Sequence, residues 1–566
     1  MNQLHYGDNL KVLRDSIAGE SVDLIYLDPP FNSNAGYNIL FKGPAGSDST
    51  AQIEAFDDTW HWNDSAEAAF GDVMRGGNAN VSQMLRAMRS FLGDNDMMAY
   101  LAMMAVRLIE LHRVLKPTGS LYLHCDPTAS HYLKILLDAV FGKENYRNEI
   151  SWKRSSAHND GKQGRKQYGN ITDTIFFYTK GKQWTWNPTY TSYDESYIAS
   201  AYRLIDSDGR RYRRGDLTAA KSGGDVSYSW PVKRLIGGDW EADLNDEYKA
   251  PNDGWEYRQV PPYNGRFWAY SKENMRKFAA EGRLVYASTG MAEYKRYLDE
   301  MPGVPLQNLW GDIAPVLGKD SLGYPTQKPV ALLERILAAS SNEGDVVLDP
   351  FCGCGTTVHA AQKMNRSWIG IDVTHLAIGL IEKRLREAFP AVQFKTFGVP
   401  QDIEGARDMA ARGRDDKNYY FEFEKWALSL IAGQPGNLSK KGADKGIDGN
   451  IYFGPKSEGR AIVSVKAGDN VGVSMIRDLR GVIEREGASV GIFLTLSEPS
   501  RPMITEAAGA GQFEMDGFSP VPRIQIVTIE QAMELRDRAV RLPAKFDNFK
   551  KAVAEEDTSR QKALDL

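Results

Sequence analysis

Cysteine is scarce here: the 566 residues hold three, at positions 125, 352 and 354. Cys125, Cys352 and Cys354 offer no disulfide framework and no four-ligand zinc spacing, so all three read as structural. The chain also lacks an apolar run of transmembrane length. Its first residues, Met-Asn-Gln-Leu-His-Tyr-Gly-Asp, are polar and unlike a secretory leader. The expected location is cytoplasmic, with no membrane partner. Nor is there a surplus of positive charge: 69 Lys and Arg against 74 Asp and Glu give a net charge of -5. That argues against a histone-like binder, but not against a DNA enzyme, whose local field matters more than the sum. What remains is an ordinary globular composition, 42% hydrophobic and 25% charged, with length for about two to four domains.

The most informative stretch is Ser21-Val-Asp-Leu-Ile-Tyr-Leu-Asp28-Pro29-Pro30-Phe31. Val22 to Leu27 is short, apolar and rich in β-formers, which predicts a buried strand stopped by two prolines. An Asp-Pro-Pro-aromatic ending places a carboxylate and a flat ring at the carboxyl end of a sheet, where open α/β sheets bind ligands. The chemistry suits a planar amine, whose lone pair is delocalised into its ring. Asp28 can accept one N–H, and the Pro29 carbonyl, held by the fixed proline φ, can accept the other. Two acceptors placed for a tetrahedral nitrogen favour the geometry in which the lone pair meets an electrophile. Phe31 can stack on a base, worth about 1–3 kcal/mol. Taken alone, the stretch also reads as a strand and a proline turn.

The surrounding chain alternates strands and helices, which implies a mostly parallel sheet. Leu4 to Asp8 reads as a strand ending in Gly-Asp, with a helix from Asn9 to Ile17. Asp8 then either joins Asp28 at the sheet edge or caps that helix. Residues 32–93 read as loop-rich, and the run from Phe56 to Trp62 as either a lid or packing. A helix is expected over Met97–Leu115, stopped by Lys116-Pro-Thr-Gly119, then a strand at Ser120–His124, a helix at His131–Phe141 and a strand at Ile175–Tyr178. Between Asn148 and Lys182 the chain is locally basic, with Lys153, Arg154, Lys162, Arg165, Lys166, Lys180 and Lys182 against Asp160 and Asp173, which suits phosphate contacts or a solvated loop. Residues 187–320 lack clean periodicity and are rich in Tyr, Trp and Arg; they read as an inserted recognition module.

A helix at Val330–Ser340 is followed by strand, glycine-rich turn and helix in Gly344-Asp-Val-Val-Leu-Asp349-Pro350-Phe351-Cys352-Gly353-Cys354-Gly355. A second strand ends at Asp372, 17 residues past Gly355. The glycine turn lets a ligand approach the backbone, and an acid about 20 residues on suits ribose hydroxyls. The third glycine of the dinucleotide fingerprint, which opens a helix toward a pyrophosphate, is missing. The expected ligand is a nucleoside without phosphates.

Asp28-Pro29-Pro30-Phe31, Tyr324-Pro-Thr-Gln-Lys-Pro329 and Asp349-Pro-Phe-Cys-Gly-Cys-Gly355 together resemble the S-adenosylmethionine-dependent DNA amino-methyltransferases of bacteria and phages. The motif order is that of the permuted beta type, with the catalytic motif first. The resemblance covers roughly residues 4–185 and 321–388. It implies α/β architecture, a Rossmann-like methyltransferase sheet with an inserted recognition region, S-adenosylmethionine as cofactor and double-stranded DNA as substrate. It implies that Asp28, Pro29, Pro30 and Phe31 are catalytic. It implies a cofactor set of Asp8, Thr326, Lys328, Asp349, Phe351, Gly353, Gly355 and Asp372, with no metal for methyl transfer. Asp-Pro-Pro-Phe favours adenine N6 by family habit, while cytosine N4 offers the same amine. A homodimer and a restriction-system partner both stay open.

From Tyr420 a second domain is expected, after a charged helix or linker over residues 401–417. Phe421–Ile431 reads as a helix, Gly446–Phe453 and Ala461–Lys466 as paired strands, Val473–Glu484 as a helix and Ser489–Leu496 as a strand. This resembles the Mrr-like branch of the PD-(D/E)XK nuclease fold, an α/β nuclease-like domain. Asp448 and Lys466 match the metal-site Asp and Lys, and Glu424 matches the first-helix acid. Ser464 stands where the family has Glu or Gln; serine is a weak ligand. An active nuclease, a DNA-binding relic and a plain interaction domain are the three readings. The expected boundaries are 1–186, 187–320, 321–398 and 418–545.

Overall fold

The computed structural model describes residues 1–30, 37–39, 53–56, 61–155, 166, 168–220, 228–245, 254–316, 321–322, 324, 326–415, 417–436, 446–455, 458–468, 470–543 and 555. Expectations placed on Phe31, on residues 57–60, on Asp160, Lys162 and Arg165 and on Pro325 lie outside the described residues. The chain divides into two compact units, Met1–Asn187 with Gln307–Leu566, and Pro188–Leu306.

The first unit is built on a nine-stranded α/β sheet: β1 (Asn2–Tyr6), β2 (Val22–Leu27), β3 (Leu115–Cys125), β4 (Tyr146–Lys153), β5 (Thr172–Thr179), β6 (Leu309–Trp310), β7 (Val346–Asp349), β8 (Ser367–Asp372) and β9 (Phe394–Phe397). Its spatial order is β6-β4-β5-β3-β2-β7-β8-β1-β9. Only β5 runs against its neighbours; all other pairings are parallel. Val22, Leu24, Ile25 and Leu27 are fully buried, as a strand covered on both faces requires. The pairing draws β1, β2, β7 and β8 side by side, so their carboxyl ends share one rim although they come from opposite ends of the sequence.

Two helices occupy the later part of the segment read as loop-rich. After α1 (Asn9–Ser16) come α2 (Asp64–Arg75) and α3 (Ala79–Leu92). Asn63 and Asn78 cap them, accepting from Ala66 N at 3.1 Å and Val81 N at 3.2 Å. Ala66, Ala69 and Val73 on one helix, and Val81 and Leu85 on the other, go into the core. The asparagine caps and this spacing outweigh the nearby glycines. α4 (Asp96–Val114) buries Met98, Leu101, Ala105, Leu108 and Leu111, as its periodicity predicts. Lys116–Gly119 does not form a separate stop: β3 starts at Leu115 and runs through it, with a register shift against β2.

α5 (Val330–Ser340), α6 (Thr356–Lys363) and α7 (His375–Ala388) complete the cover of this sheet. After a helix at Ile403–Asp415, α8 (Lys417–Leu430) opens a smaller five-stranded sheet. Its strands are β10 (Gln434–Pro435), β11 (Gly449–Phe453), β12 (Gly459–Lys466), β13 (Val490–Thr495) and β14 (Ile524–Thr528), in sequence order, antiparallel at first and parallel from β12 onward. The unit Pro188–Leu306 is antiparallel β with short helices. Trp230, Trp240 and Trp268 are buried with Met275 in its core, so much of its aromatic content is packing.

Candidate functional site

A cavity of about 490 Å³ opens at the shared rim of β1, β2, β7 and β8. Gly7 and Asp8 follow β1, Asp28 follows β2, Phe351 and Gly353 follow β7, and Asp372 ends β8; all line it, with Thr326 and Lys328 from the segment before α5.

Asp28 is the polar centre of the cavity. Lys328 Nζ donates to its Oδ2. Its other oxygen, Oδ1, is buried and accepts no hydrogen bond among the described residues. A buried carboxylate oxygen without a donor costs stability and invites a ligand N–H. Pro30 lies on the same wall, and Pro29 is buried beside it.

The turn after β7 is held by its own acids. Asp349 is buried and accepts from Phe351 N at 3.0 Å and from Thr357 Oγ1 at 2.5 Å. Burial pushes its carboxyl up from 3.8 to about 7 despite those donors. Asp372 accepts from Gly353 N at 2.9 Å and from the amide and hydroxyl of Thr374, each at 2.9 Å. Burial raises it to about 6. Gly355 has φ +75°, and a Cβ there would meet Ile381 Cγ1 at 2.7 Å. Glycine is required at that position by both conformation and space. The same burial pushes the Cys352 and Cys354 thiols up. Both are unbridged and buried, and both line the cavity.

Asp8 joins the rim and also caps α1, accepting from Lys11 N at 3.1 Å. Arg107 Nη2 holds its Oδ2 at 2.8 Å. Arg107 Nε reaches Asn9 Oδ1 at 2.6 Å, and Asn9 Nδ2 reaches the Pro350 carbonyl at 2.9 Å. Sequence reasoning missed Arg107 and Asn9. The signal was present: an arginine inside the apolar stripe of a long helix must find a buried partner. It also missed Tyr26, which lines the cavity and bonds His124 Nδ1 at 2.8 Å.

Beyond the rim, Tyr6 stacks on His375, with ring centroids 3.8 Å apart. Glu422 of α8 accepts from the Tyr6 hydroxyl and lies 3.4 Å from His375 Nε2. Burial alone would raise the Glu422 carboxyl, but these partners and Lys425 bring it down to about 2.

In the smaller sheet, Asp448 accepts from Val465 N at 2.6 Å and from Ser464 Oγ at 3.3 Å, with Lys466 Nζ at 3.6 Å. Asp448, Ser464 and Lys466 therefore lie together. Among the described residues no group of three or more His, Cys, Asp or Glu could hold a metal ion. Also among the described residues, no helix is long and apolar enough to cross a membrane.

Residues 22–383 match the family model described as DNA methylase, which spans the N6 and N4 enzymes. Residues 416–517 match a model described as restriction endonuclease. The chain is similar to the type II methyltransferase M.EcaI of Enterobacter cloacae, 29% identical over 388 residues, which covers 68% of this chain and 69% of that protein. It is similar to the Mod subunit of the type III restriction-modification enzyme StyLTI of Salmonella typhimurium, 27% identical over 63% of this chain and 49% of that one. A solved complex of M1.HpyAVI with SAM aligns at a TM-score of 0.29 and 14% identity, over 68% of this chain and 99% of that one. With more than half of its length matched by one model, this chain belongs to the DNA methylase family of N6 and N4 amino-methyltransferases.

Proposed function

We propose that this protein methylates adenine N6 in double-stranded DNA, with S-adenosylmethionine as donor. The observation that carries the reading is the free, buried Asp28 Oδ1 at the cavity wall, inside Asp28-Pro29-Pro30-Phe31. Asp28 Oδ1 accepts one N–H of the extruded base, and the Pro29 carbonyl accepts the other. Lys328 holds the second Asp28 oxygen and so fixes the carboxylate plane. Phe31 stacks on the base. Bringing the base out of the duplex costs a few kcal/mol, which this pocket has to repay.

Asp8 and Asp372 hold the adenosine part of the donor, Phe351, Gly353 and Gly355 form its loop, and Thr326 and Lys328 cover its methionine end. When bound, the donor supplies an electrophilic methyl on a sulfonium. Asp349 acts through the loop, because its oxygens hold the Phe351 amide and the Thr357 hydroxyl. The unit Pro188–Leu306 reads the target sequence, and the α8–β14 domain is a nuclease-like DNA-binding module.

Adenine is preferred over cytosine N4 because the motif is Asp-Pro-Pro-Phe. One measurement tests both. Genomic DNA from cells expressing the chain is digested to nucleosides and quantified by mass spectrometry, beside an Asp28→Ala control. N6-methyladenine absent from the control is the expected result. N4-methylcytosine in its place overturns the choice of base, and no modified base overturns the reading.

A further inference from the structure

Tyr26, His124 and Asp173 form a buried hydrogen-bonded series under the cavity. Tyr26 Oη lies 2.8 Å from His124 Nδ1, and His124 Nε2 lies 3.2 Å from Asp173 Oδ2. Arg154 Nε stands 3.3 Å behind, at Asp173 Oδ1. Exposure is 2% at Tyr26, 0% at His124 and 2% at Asp173. The three come from β2, β3 and β5, neighbours in the sheet. Tyr26 and Asp28 are two residues apart, hence on one face, and both line the cavity.

Methyl transfer to an exocyclic amine leaves a positively charged nitrogen that has to lose a proton. Asp28 is a costly place to put it. Its Oδ2 is paired with Lys328, and the two side chains are only 16% and 13% exposed. Protonating Asp28 would remove the charge that its Oδ2 holds against the Lys328 ammonium. A proton on His124 does the reverse, because it creates a buried ion pair with Asp173. Burial alone would raise the Asp173 carboxyl, yet the hydrogen bond from His124 holds it below its ordinary range. Asp173 is therefore ionised and fixes the His124 proton on Nε2, which leaves Nδ1 to accept from Tyr26 Oη–H.

We propose that Tyr26 takes the proton released by the target amine and passes its own to His124, with Asp173 as the positioning counter-charge; this rests on the methyltransferase reading above. As the N–CH3 bond forms and the nitrogen becomes tetrahedral, one N–H turns from its first acceptor to Tyr26 Oη and breaks as an O–H bond forms on Tyr26. The original Tyr26 O–H breaks as Nδ1–H forms on His124. The positive charge moves from the product base to the imidazolium beside Asp173. When the product leaves, the proton returns through Tyr26 to water entering the cavity. The logic is that of a hydroxyl–imidazole–carboxylate triad, with a phenol in place of serine. Among the described residues, other charged groups near the series include Asp28, Asp349, Lys328 and Asp126.

The test compares full-length wild type with Tyr26→Phe, which removes one hydroxyl. Single-turnover transfer of labelled methyl to unmethylated genomic DNA is measured in H2O and D2O. Thermal melting and S-adenosylmethionine binding confirm the fold. Tyr26→Phe is expected to slow transfer about 10²-fold and to abolish the solvent isotope effect of the wild type. In the free protein, the His124 ring nitrogens, assigned by difference from His124→Gln, are expected to shift in the nuclear magnetic resonance spectrum of Tyr26→Phe. A Tyr26→Phe protein that keeps the wild-type rate, or the wild-type isotope effect, overturns the proposal. A wild type that transfers no methyl overturns the underlying reading instead.

Discussion

Asp28 with Lys328 and Asp448 with Lys466 are the same two residue types brought together in two different sheets. Around Asp28 the sheet leaves one carboxylate oxygen buried and undonated, against a cavity of about 490 Å³. Around Asp448 one oxygen takes the Val465 amide, the Ser464 hydroxyl and the Lys466 ammonium. Ser464 brings a hydroxyl where a ligating carboxylate or amide is usual in the nuclease fold it resembles. What the structure shows at Asp28 is a buried acceptor without a donor among the described residues, and a cavity in which a ligand can stand.

The sharpest way to break this comparison is Asp28→Ala, expected to lower methyl transfer by about 10³-fold or more. S-adenosylmethionine binding by calorimetry should stay largely intact. Equal activity in that variant would remove Asp28 from the chemistry. Next is the loop that shapes the cavity. Gly355→Val puts a branched side chain at φ +75° against Ile381. The strain of about 1–3 kcal/mol should weaken cofactor binding by roughly 5–150-fold, read by the same titration.

The third test uses pH. The Asp349 carboxyl rises from 3.8 to about 7 on folding, so the folded chain keeps a proton that the unfolded chain has already lost. Its contribution to stability is full below the ordinary value and falls as pH rises through about 4 to 7. The slope is at most about 1.4 kcal/mol per pH unit. Asp349→Asn should flatten that part of the melting-temperature profile, and an unchanged profile would refute the assignment. The smallest effect is expected in the other sheet. Asp448→Ala should leave methyl transfer within about twofold, and neither protein should nick plasmid DNA with magnesium. Nicking by wild type that the variant loses would raise the second Asp–Lys pair to an active site.

Which parts were legible follows from how the chemistry is encoded. Asp28-Pro29-Pro30 and Phe351-Cys-Gly-Cys-Gly355 act as contiguous turns after strands, so residue order alone exposes them. Asp372 was legible because the spacing from the glycine turn is set by one helix and one strand. Arg107, His124 and Asp173 were not. Each sits in an element whose local pattern is plain core, and the partners arrive through β-pairing between distant segments. The helices at Asp64–Arg75 and Ala79–Leu92 were hidden by flanking glycines, although their asparagine caps were there to be read. In Pro188–Leu306 the Tyr and Trp content that marked the segment as an inserted module is partly core, as Trp230 and Trp268 illustrate.

The place of β1 also governs when this protein becomes competent during synthesis. Asn2–Tyr6 hydrogen-bonds on one side to β8 and on the other to β9, with Leu4 beside Gly370 and Thr396. A ribosome adding about 5–20 residues per second takes roughly 20–70 s to make the stretch between them. Throughout that interval the first strand has neither sheet neighbour, and an unpaired edge is a surface for aggregation. Pairing over such a sequence separation is slow once it becomes available. Asp8 and Asp372 meet only in that closure, so a nascent chain that stops short of β8 has only half of the cavity rim.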